Sequence, residues 1–470
     1  MCRYTACITY YFVLLHQNSK TMKNAISILD HLQFDCPTTE QKSALLAISN
    51  FVKETNEEDF FILCGAAGTG KTSITTAVIG YLNTKSVAYN IAAPTGRAAR
   101  ILGRKSKTVN STIHSLIYNV KANPLTGEVV FELKNNDVKD FNIFIIDEAS
   151  MISAKAQNDS VNLFKSKNSL LTDLIRFVKS GNTNNKLIFL GDHNQLPPVN
   201  EMESLALSQE YLVKNYNLKG CTKLLTEVKR QDDGSYVLKN AVSLREGIEN
   251  NYRSVDLYGI KKQSLEDASR DYVLDYLANG QDSIISIGTT HNMNKMFNGK
   301  VRAKLYGHGA KIIEINDLLL VTQTWKRNGL QLYSGDHVIV KEINFNSIEI
   351  VAGLSFMPVK LVSKNLEGKE EIIDDYLLLE SVVNPQGLTL KQENLLRHER
   401  FKKNKVYRET LKPWDDKYVG AIRTTYGHSI TCNKAQGGEW DNVLINSFFM
   451  PTLKYQYTAI TRAKNEVRFY

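Results

Sequence analysis

Lys71 and Thr72 close a glycine-rich loop, Gly65-Ala66-Ala67-Gly68-Thr69-Gly70-Lys71-Thr72, and that spacing belongs to polyphosphate chemistry. Glycines at both ends let the backbone curl until successive N–H groups point inward at phosphate oxygens. A helix beginning near Lys71 adds the positive end of its dipole. Lys71 is placed to reach the β and γ phosphates of ATP, and the Thr72 hydroxyl to hold Mg²⁺. A second pair of residues has matching chemistry. Asp147 and Glu148 end the apolar run Ile143-Phe144-Ile145-Ile146, so two adjacent carboxylates stand at one strand end. Asp147 would hold Mg²⁺ through water, and Glu148 would orient and deprotonate an attacking water. Gln195, in Gly191-Asp192-His193-Asn194-Gln195-Leu196-Pro197-Pro198, follows another apolar run, Leu187 to Leu190, and is a natural sensor of the γ-phosphate. Gln41 carries an amide able to pair with both edges of an adenine; the alternative is a solvated surface glutamine.

These residues need particular elements to hold them. Phe60 to Cys64 reads as a strand leading into the phosphate loop, and Thr38 to Phe51 as a capped amphipathic helix just before it. Val87 to Ala93 is another strand, ending in Pro94-Thr95-Gly96-Arg97-Ala98-Ala99-Arg100. In an open α/β sheet, ligands gather beyond the carboxyl ends of the strands, which puts this loop on the rim that carries the phosphate loop. Thr95 and the helix start are placed to take a phosphate of a nucleic-acid backbone, while Arg97 and Arg100 read as a solvated helix face. His114, in Ser111-Thr112-Ile113-His114-Ser115, is by itself more often structural than functional. The turn Asn123-Pro124-Leu125-Thr126-Gly127 and the strand Glu128 to Lys134 predict a small hairpin. Phe131 in it either wedges or stacks against a base or anchors the hairpin. Leu318 to Val351 alternates like strands, with turns at Asn328-Gly329 and Ser334-Gly335-Asp336, and predicts a small β-barrel. Gln392 to Thr410 reads as a basic helical arm, packing on one side and attracting phosphate on the other.

Composition narrows the class. A chain of 470 residues is too long for one core, and 43% hydrophobic with 23% charged residues is ordinary for a globular protein. A formal charge of +9 suits a polyanionic partner. Cys2, Cys7, Cys36, Cys64, Cys221 and Cys432 lie far apart without C-x-x-C pairs, which excludes a disulfide scaffold and predicts thiols in a reducing compartment. No run reaches transmembrane length. The apolar stretch Ile8 to Leu15 lacks a firm basic region and a cleavage site, and Met22-Lys23 is the expected natural start.

The phosphate loop, Ala93 to Gly96, Ser111 to Ser115, Asp147 to Ser150 and Gly191 to Pro198, in that order, resemble the N-terminal motifs of a superfamily 1 helicase. Downstream, Leu225-Thr226-Glu227-Val228-Lys229-Arg230-Gln231 resembles the segment that brings an arginine, here Arg230, to the γ-phosphate. Thr290, Asn298 and Arg302 follow the strand Ile284 to Ile287 in the family's spacing. Gly427 to Gly437 resembles the motif that grips single-stranded DNA, and Tyr457-Thr458-Ala459-Ile460-Thr461-Arg462-Ala463 the last motif, with Arg462 as arginine finger. The likeness extends from Pro37 to Tyr470 and points to the RecD-like branch. Asn433 stands where the family usually has His, and His291 where Asn commonly follows the strand threonine.

The resemblance implies an α/β fold of two RecA-like parallel-sheet motor domains with an inserted β-hairpin and an inserted small β-barrel. The expected division is an extension over 1–35, a first motor domain over 36–205 with the hairpin at 116–137, a second over 206–314 and 413–470, and the barrel and arm over 315–412. It implies ATP and Mg²⁺ at Gln41, Gly65, Ala66, Ala67, Gly68, Thr69, Gly70, Lys71 and Thr72. DNA would be held by Pro94, Thr95, Thr112, His114, Phe131, Thr290, His291, Thr431, Asn433 and Lys434. The expected activity is ATP-driven 5′ to 3′ translocation and unwinding of tailed or forked duplex by a cytoplasmic monomer that meets single-strand-binding or replication proteins. Two other readings stand beside it: a translocase that does not unwind, and a nucleotide-gated DNA-binding module.

Overall fold

The structure, a computed structural model, describes residues 27–106, 108, 111–122, 129–156, 168–227, 235–365 and 369–470. The expected start at Met22-Lys23, the thiols of Cys2 and Cys7, the turn Asn123 to Gly127 and Arg230 lie outside them.

The first sheet is wholly parallel. Its strands run in the order Ser111–Thr112, Ala88–Ala93, Asn142–Ile146, Lys186–Gly191, Phe60–Gly65 and Gly220–Leu225. Parallel strands are covered on both faces, and the alternation along Phe60–Gly65 shows how. Phe60, Ile62 and Cys64 pack with Leu171, Leu174 and Val178 of the helix Leu170–Gly181. Phe61 and Leu63 pack on the other face with Leu45 and Ile48 of the helix Thr39–Phe51 and Ile74 and Val78 of the helix Lys71–Thr84. The carboxyl ends of the strands therefore share one rim, and that rim carries the phosphate loop, Asp147 and Asp192.

A second parallel sheet runs Ser429–Thr431, Ile284–Gly288, Trp440–Ile445, Ala463–Phe469 and Lys261–Lys262. Ile285 and Ile287 face Trp440, Tyr455 and Tyr457. Ile284 packs oppositely against Tyr272 and Phe297, from the helices Leu265–Asn279 and His291–Tyr306. A third sheet is antiparallel: Glu349–Val351, Leu354–Lys364, His337–Ile343, Leu318–Val321 and Thr424–Tyr426, with Glu370–Leu378 paired along Leu354–Lys364. The strands Tyr118–Ala122 and Val129–Leu133 form a separate antiparallel pair. No helix among the described residues is long and apolar enough to cross a membrane.

Two expected boundaries move. Gly220–Leu225 pairs with Phe60–Gly65, so the first sheet reaches past residue 205. This edge strand is half exposed and lacks the continuous apolar run of its neighbours, which is why the sequence hid it. Thr424–Tyr426 pairs with Leu318–Val321, so the antiparallel sheet claims residues beyond 412.

Buried charge joins the second and third sheets. Arg302 donates from Nε and Nη2 to the Asp317 carboxylate, both at 2.9 Å, and stacks over the Tyr426 ring at 4.3 Å. Nη2 also donates to the Lys311 carbonyl. Breaking a buried pair leaves an uncompensated charge. Arg302→Ala is therefore expected to destabilise the protein by about 3–5 kcal/mol, read from the urea midpoint, and an effect under about 1 kcal/mol would refute it.

Candidate active site

The phosphate loop follows from its glycines. Gly68 and Gly70 have φ of 84° and 87°, a left-handed backbone that L side chains rarely adopt. A Cβ on Gly70 would also lie 2.7 Å from Gln41 Nε2. The helix Lys71–Thr84 begins at Gly70 with no side-chain cap, so its leading N–H groups are left for an anion. Lys71 Nζ bonds to the carbonyls of Gly65 and of Ala66, the latter at 3.0 Å. Thr69 Oγ1 donates to the Ala66 carbonyl at 2.9 Å.

Gln41 is not a solvated glutamine. Its Oε1 accepts from Thr38 N–H at 2.9 Å and its Nε2 donates to the Thr69 carbonyl at 2.9 Å. It is buried and ties the capped helix start to the phosphate loop, so both amide edges are engaged by the protein.

Asp147 and Glu148 stand at the end of the Asn142–Ile146 strand, with Asp147 Oδ1 accepting from Glu148 N–H at 2.9 Å. Glu148 has φ 50° and ψ 38°. A left-handed glutamate costs about 1–3 kcal/mol and persists where surrounding structure imposes it, commonly at functional sites. Mg²⁺ suits the donors present, since a threonine hydroxyl and a carboxylate are hard oxygens. Among the described residues no cluster of three or more His, Cys, Asp or Glu could cage a metal by itself. Gln195 is buried, and its Oε1 has no hydrogen-bond partner among the described residues. Such an acceptor is costly unless a ligand or water completes it.

The second parallel sheet reaches this rim through residues that the sequence reading did not single out. The Tyr457 hydroxyl donates to Asp192 Oδ2 at 2.7 Å and accepts from Ala67 N–H at 3.3 Å. Leu196 N–H donates to Thr458 Oγ1 at 2.8 Å, and Gln436 Nε2 donates to the Leu196 carbonyl at 3.0 Å. Asp192, Tyr457, Thr458 and Gln436 thus belong to the site. Their signal was position inside the quoted motifs, with Tyr457 five residues before Arg462. Arg462 itself is buried and turned inward. Its Nε donates to the Thr458 carbonyl, Nη1 to the Gly438 carbonyl and Nη2 to Thr461 Oγ1, so this conformation does not present it as a finger. Arg230 lies outside the described residues; Glu40 accepts from Thr226 N–H at 2.6 Å.

The expected DNA residues divide into groups. Thr95, Thr112 and Thr290 each accept from a backbone N–H three residues on, capping helices at the sheet rims, and Pro94 sits half-buried before the first of them. Thr431 makes no such cap. It shares a cavity of about 270 Å³ with His291, Lys295 and Lys434, walled by Leu320, Val382 and Pro385. Asn433 faces a different cavity, of about 450 Å³, with Pro197, Pro198 and Asn200. Phe131 is an anchor: it pairs across from Val120 and packs edge-on against Tyr118 at 5.6 Å, and the Tyr118 hydroxyl donates to Asp173 at 2.7 Å. The exposed His114 ring lies 6.3 Å from it. The ring is packed onto the core beneath the strand pair and is partly buried there.

Arg97 and Arg100 are not a solvated face. Arg100 pairs with Asp336 at 2.9 Å and donates to the carbonyls of Lys364 and Gln331, both at 3.1 Å. Arg97 stacks over Trp440 at 4.6 Å. The basic arm is likewise turned inward in part: Arg397 is buried beside Glu393, and Arg400 pairs with Asp416 at 2.8 Å. Cys36, Cys64, Cys221 and Cys432 are thiols, and burial pushes Cys64 and Cys432 up to about 12.

Two family models match. One, described as an AAA domain, covers residues 49–201; the other, a UvrD-like helicase C-terminal domain, covers 426–470. The chain is similar to the ATP-dependent DNA helicase dda of Enterobacteria phage T4, 28% identical over 330 residues, with 68% of each chain covered. It is also similar to the RecBCD enzyme subunit RecD of Buchnera aphidicola subsp. Schizaphis graminum, 24% identical over 88% of this chain and 70% of that one. Among solved structures, a Pif1 helicase from Bacteroides in complex with ADP-AlF3 and ssDNA overlaps 93% of this chain and 92% of its own, at 16% identity and TM-score 0.49.

Two outcomes follow from this geometry. Glu148→Gln is expected to keep nucleotide binding but cut ATP hydrolysis by about 10²–10⁴-fold in steady-state assays, as removal of a general base does. Burial and the neighbouring Lys434 charge hold His291 below its ordinary value, so it is neutral at pH 7. A bound phosphate would raise it again, making binding take up a proton. Affinity for single-stranded DNA should therefore rise as pH falls from about 7.5 to 5.5, and His291→Asn should flatten that slope in fluorescence-anisotropy titrations.

Proposed function

We infer that this chain, which belongs to the RecD-like branch of the superfamily 1 helicases, is an ATP-dependent DNA helicase that moves 5′ to 3′ on single-stranded DNA and unwinds tailed or forked duplexes. The observation that carries the reading is the contact of Tyr457 with both Ala67 and Asp192, because it sets the second parallel sheet's last motif against the phosphate loop. A triphosphate in that loop lies within reach of both domains, so its presence or loss can drive closure and opening.

In this reading Lys71 and the loop amides bind the polyphosphate, and Thr72 and Asp147 hold Mg²⁺. The ion supplies charge neutralisation across the phosphates. Glu148 positions and deprotonates the attacking water, while Gln195 contributes its buried acceptor beside the cleft. Arg230 and Arg462 complete the site from the far side; for Arg462 that requires leaving its bonds to Thr458 and Gly438 as the cleft closes. An arginine supplied on closure can be worth about 10³–10⁵ in rate.

DNA would lie across both rims, held at Thr95 and Thr112 on the first sheet and at Thr290, His291, Thr431 and Lys434 on the second. Contacts to phosphate carry no sequence information, so binding is sequence-tolerant and salt-sensitive. The strand pair Tyr118–Ala122 and Val129–Leu133 serves as the inserted hairpin that meets the duplex, with Phe131 bracing its base. The antiparallel sheet serves as the inserted barrel. We place the protein as a monomer in a bacterial or phage-infected cytoplasm, beside single-strand-binding or replication proteins; the thiols of Cys64, Cys221 and Cys432 suit a reducing compartment.

The test is ATP-dependent strand separation on matched duplexes carrying a 5′ or a 3′ single-stranded tail. Unwinding of the 5′-tailed DNA is expected, with Lys71→Ala folded by circular dichroism but inactive. Unwinding by Lys71→Ala at the wild-type rate would overturn the assignment. ATPase stimulated by single strands without strand separation would replace the helicase by a translocase.

A further inference from the structure

The Tyr457 hydroxyl crosses from the second parallel sheet's domain to the phosphate loop. It accepts from Ala67 N–H at 3.3 Å while donating to Asp192 Oδ2 at 2.7 Å, and Tyr457 as a whole is 1% exposed. Ala67 sits in the middle of the loop whose amides face a polyphosphate. Lys71 Nζ meanwhile bonds to the loop's own carbonyls. In this arrangement the loop's donors are satisfied by protein: an amide by a phenol, an ammonium by carbonyls. Burial and the Asp192 carboxylate both hold the phenol well above its ordinary value, so it is a neutral O–H that donates to Asp192.

We propose that Tyr457 is a positioning residue of the ATPase cycle, whose hydroxyl competes with a nucleotide phosphate for the Ala67 N–H, so that nucleotide entry releases the Tyr457 helix from the loop. The proposal rests on the ATP reading above. A phosphate oxygen carries charge, and a charge-assisted bond to an amide is stronger than one to a phenol, so the nucleotide wins the contest. Tyr457 then keeps Asp192 alone. The helix Leu453–Ile460 that carries Tyr457 also carries Thr458, which holds Leu196 N–H and, through its carbonyl, Arg462. One displaced bond in the loop is thereby felt on both sides of Gln195 and at the arginine.

The experiment uses the full chain and Tyr457→Phe, which keeps the ring's volume. Binding of ADP and of a non-hydrolysable ATP analogue, each with Mg²⁺, is measured by titration calorimetry without DNA. Phenylalanine should tighten Kd by about three- to tenfold, the equivalent of one net hydrogen bond, and shift KM for ATP in the same direction. Melting supplies a second readout: the variant without nucleotide should melt lower than the wild type, yet gain a larger upward shift from ADP. A Kd that does not change would overturn the proposal, leaving Tyr457 a packing residue. A weaker Kd would overturn it differently, since the hydroxyl would then bind the nucleotide rather than compete with it. If the wild type itself binds neither nucleotide, the ATP reading falls first and the proposal with it.

Discussion

The interaction on which the site depends is the hold that one domain keeps on a short loop of the other. Asp192 and Leu196 bracket Gln195, and each is bonded from across the cleft, Asp192 by Tyr457 and Leu196 by Thr458 and Gln436. These bonds involve a buried carboxylate and both polar groups of one backbone residue, so losing any of them leaves a desolvated partner. A loop held in this way cannot drift. Its position reports where the second domain stands, and Gln195, between the held residues, moves with it.

Parallel topology makes that hold possible. All strands of the first sheet run the same way, so the phosphate loop, Asp147 and Asp192 emerge on one rim without any long-range coding beyond strand order. Helices on both faces then fix the strands' register, with alternate residues of Phe60–Gly65 going to different cores. The chemistry sits on loops, but loops whose two ends are set by buried strands.

This explains what could be read in advance. The phosphate loop, the Asp147-Glu148 pair and the strand Ile284–Gly288 announce themselves because long apolar runs and glycine placement are local signals. Gln41, Arg97, Arg100 and Arg462 were harder. Their types suit a ligand or solvent, and only the fold shows that in this conformation Thr69, Asp336, Trp440 and Gly438 hold them. Phe131 was ambiguous for the same reason: a half-exposed ring in a strand pair says nothing of what lies beneath, and here Tyr118 does. Tyr457 lies inside a motif, but its role is not legible there because its partners are 390 and 265 residues away in the chain.

One further feature concerns mechanics. Thr424–Tyr426 belongs to the antiparallel sheet and Ser429–Thr431 to the second parallel sheet, with only Gly427 and His428 between them. Gly427 is packed so closely that a Cβ would lie 3.1 Å from the Leu319 carbonyl carbon, and the buried Arg302–Asp317 pair braces the same junction. There is no slack in such a joint. Two close-packed residues and a buried ion pair leave the antiparallel sheet little freedom to turn against the second parallel sheet, so the two are built to travel as one piece.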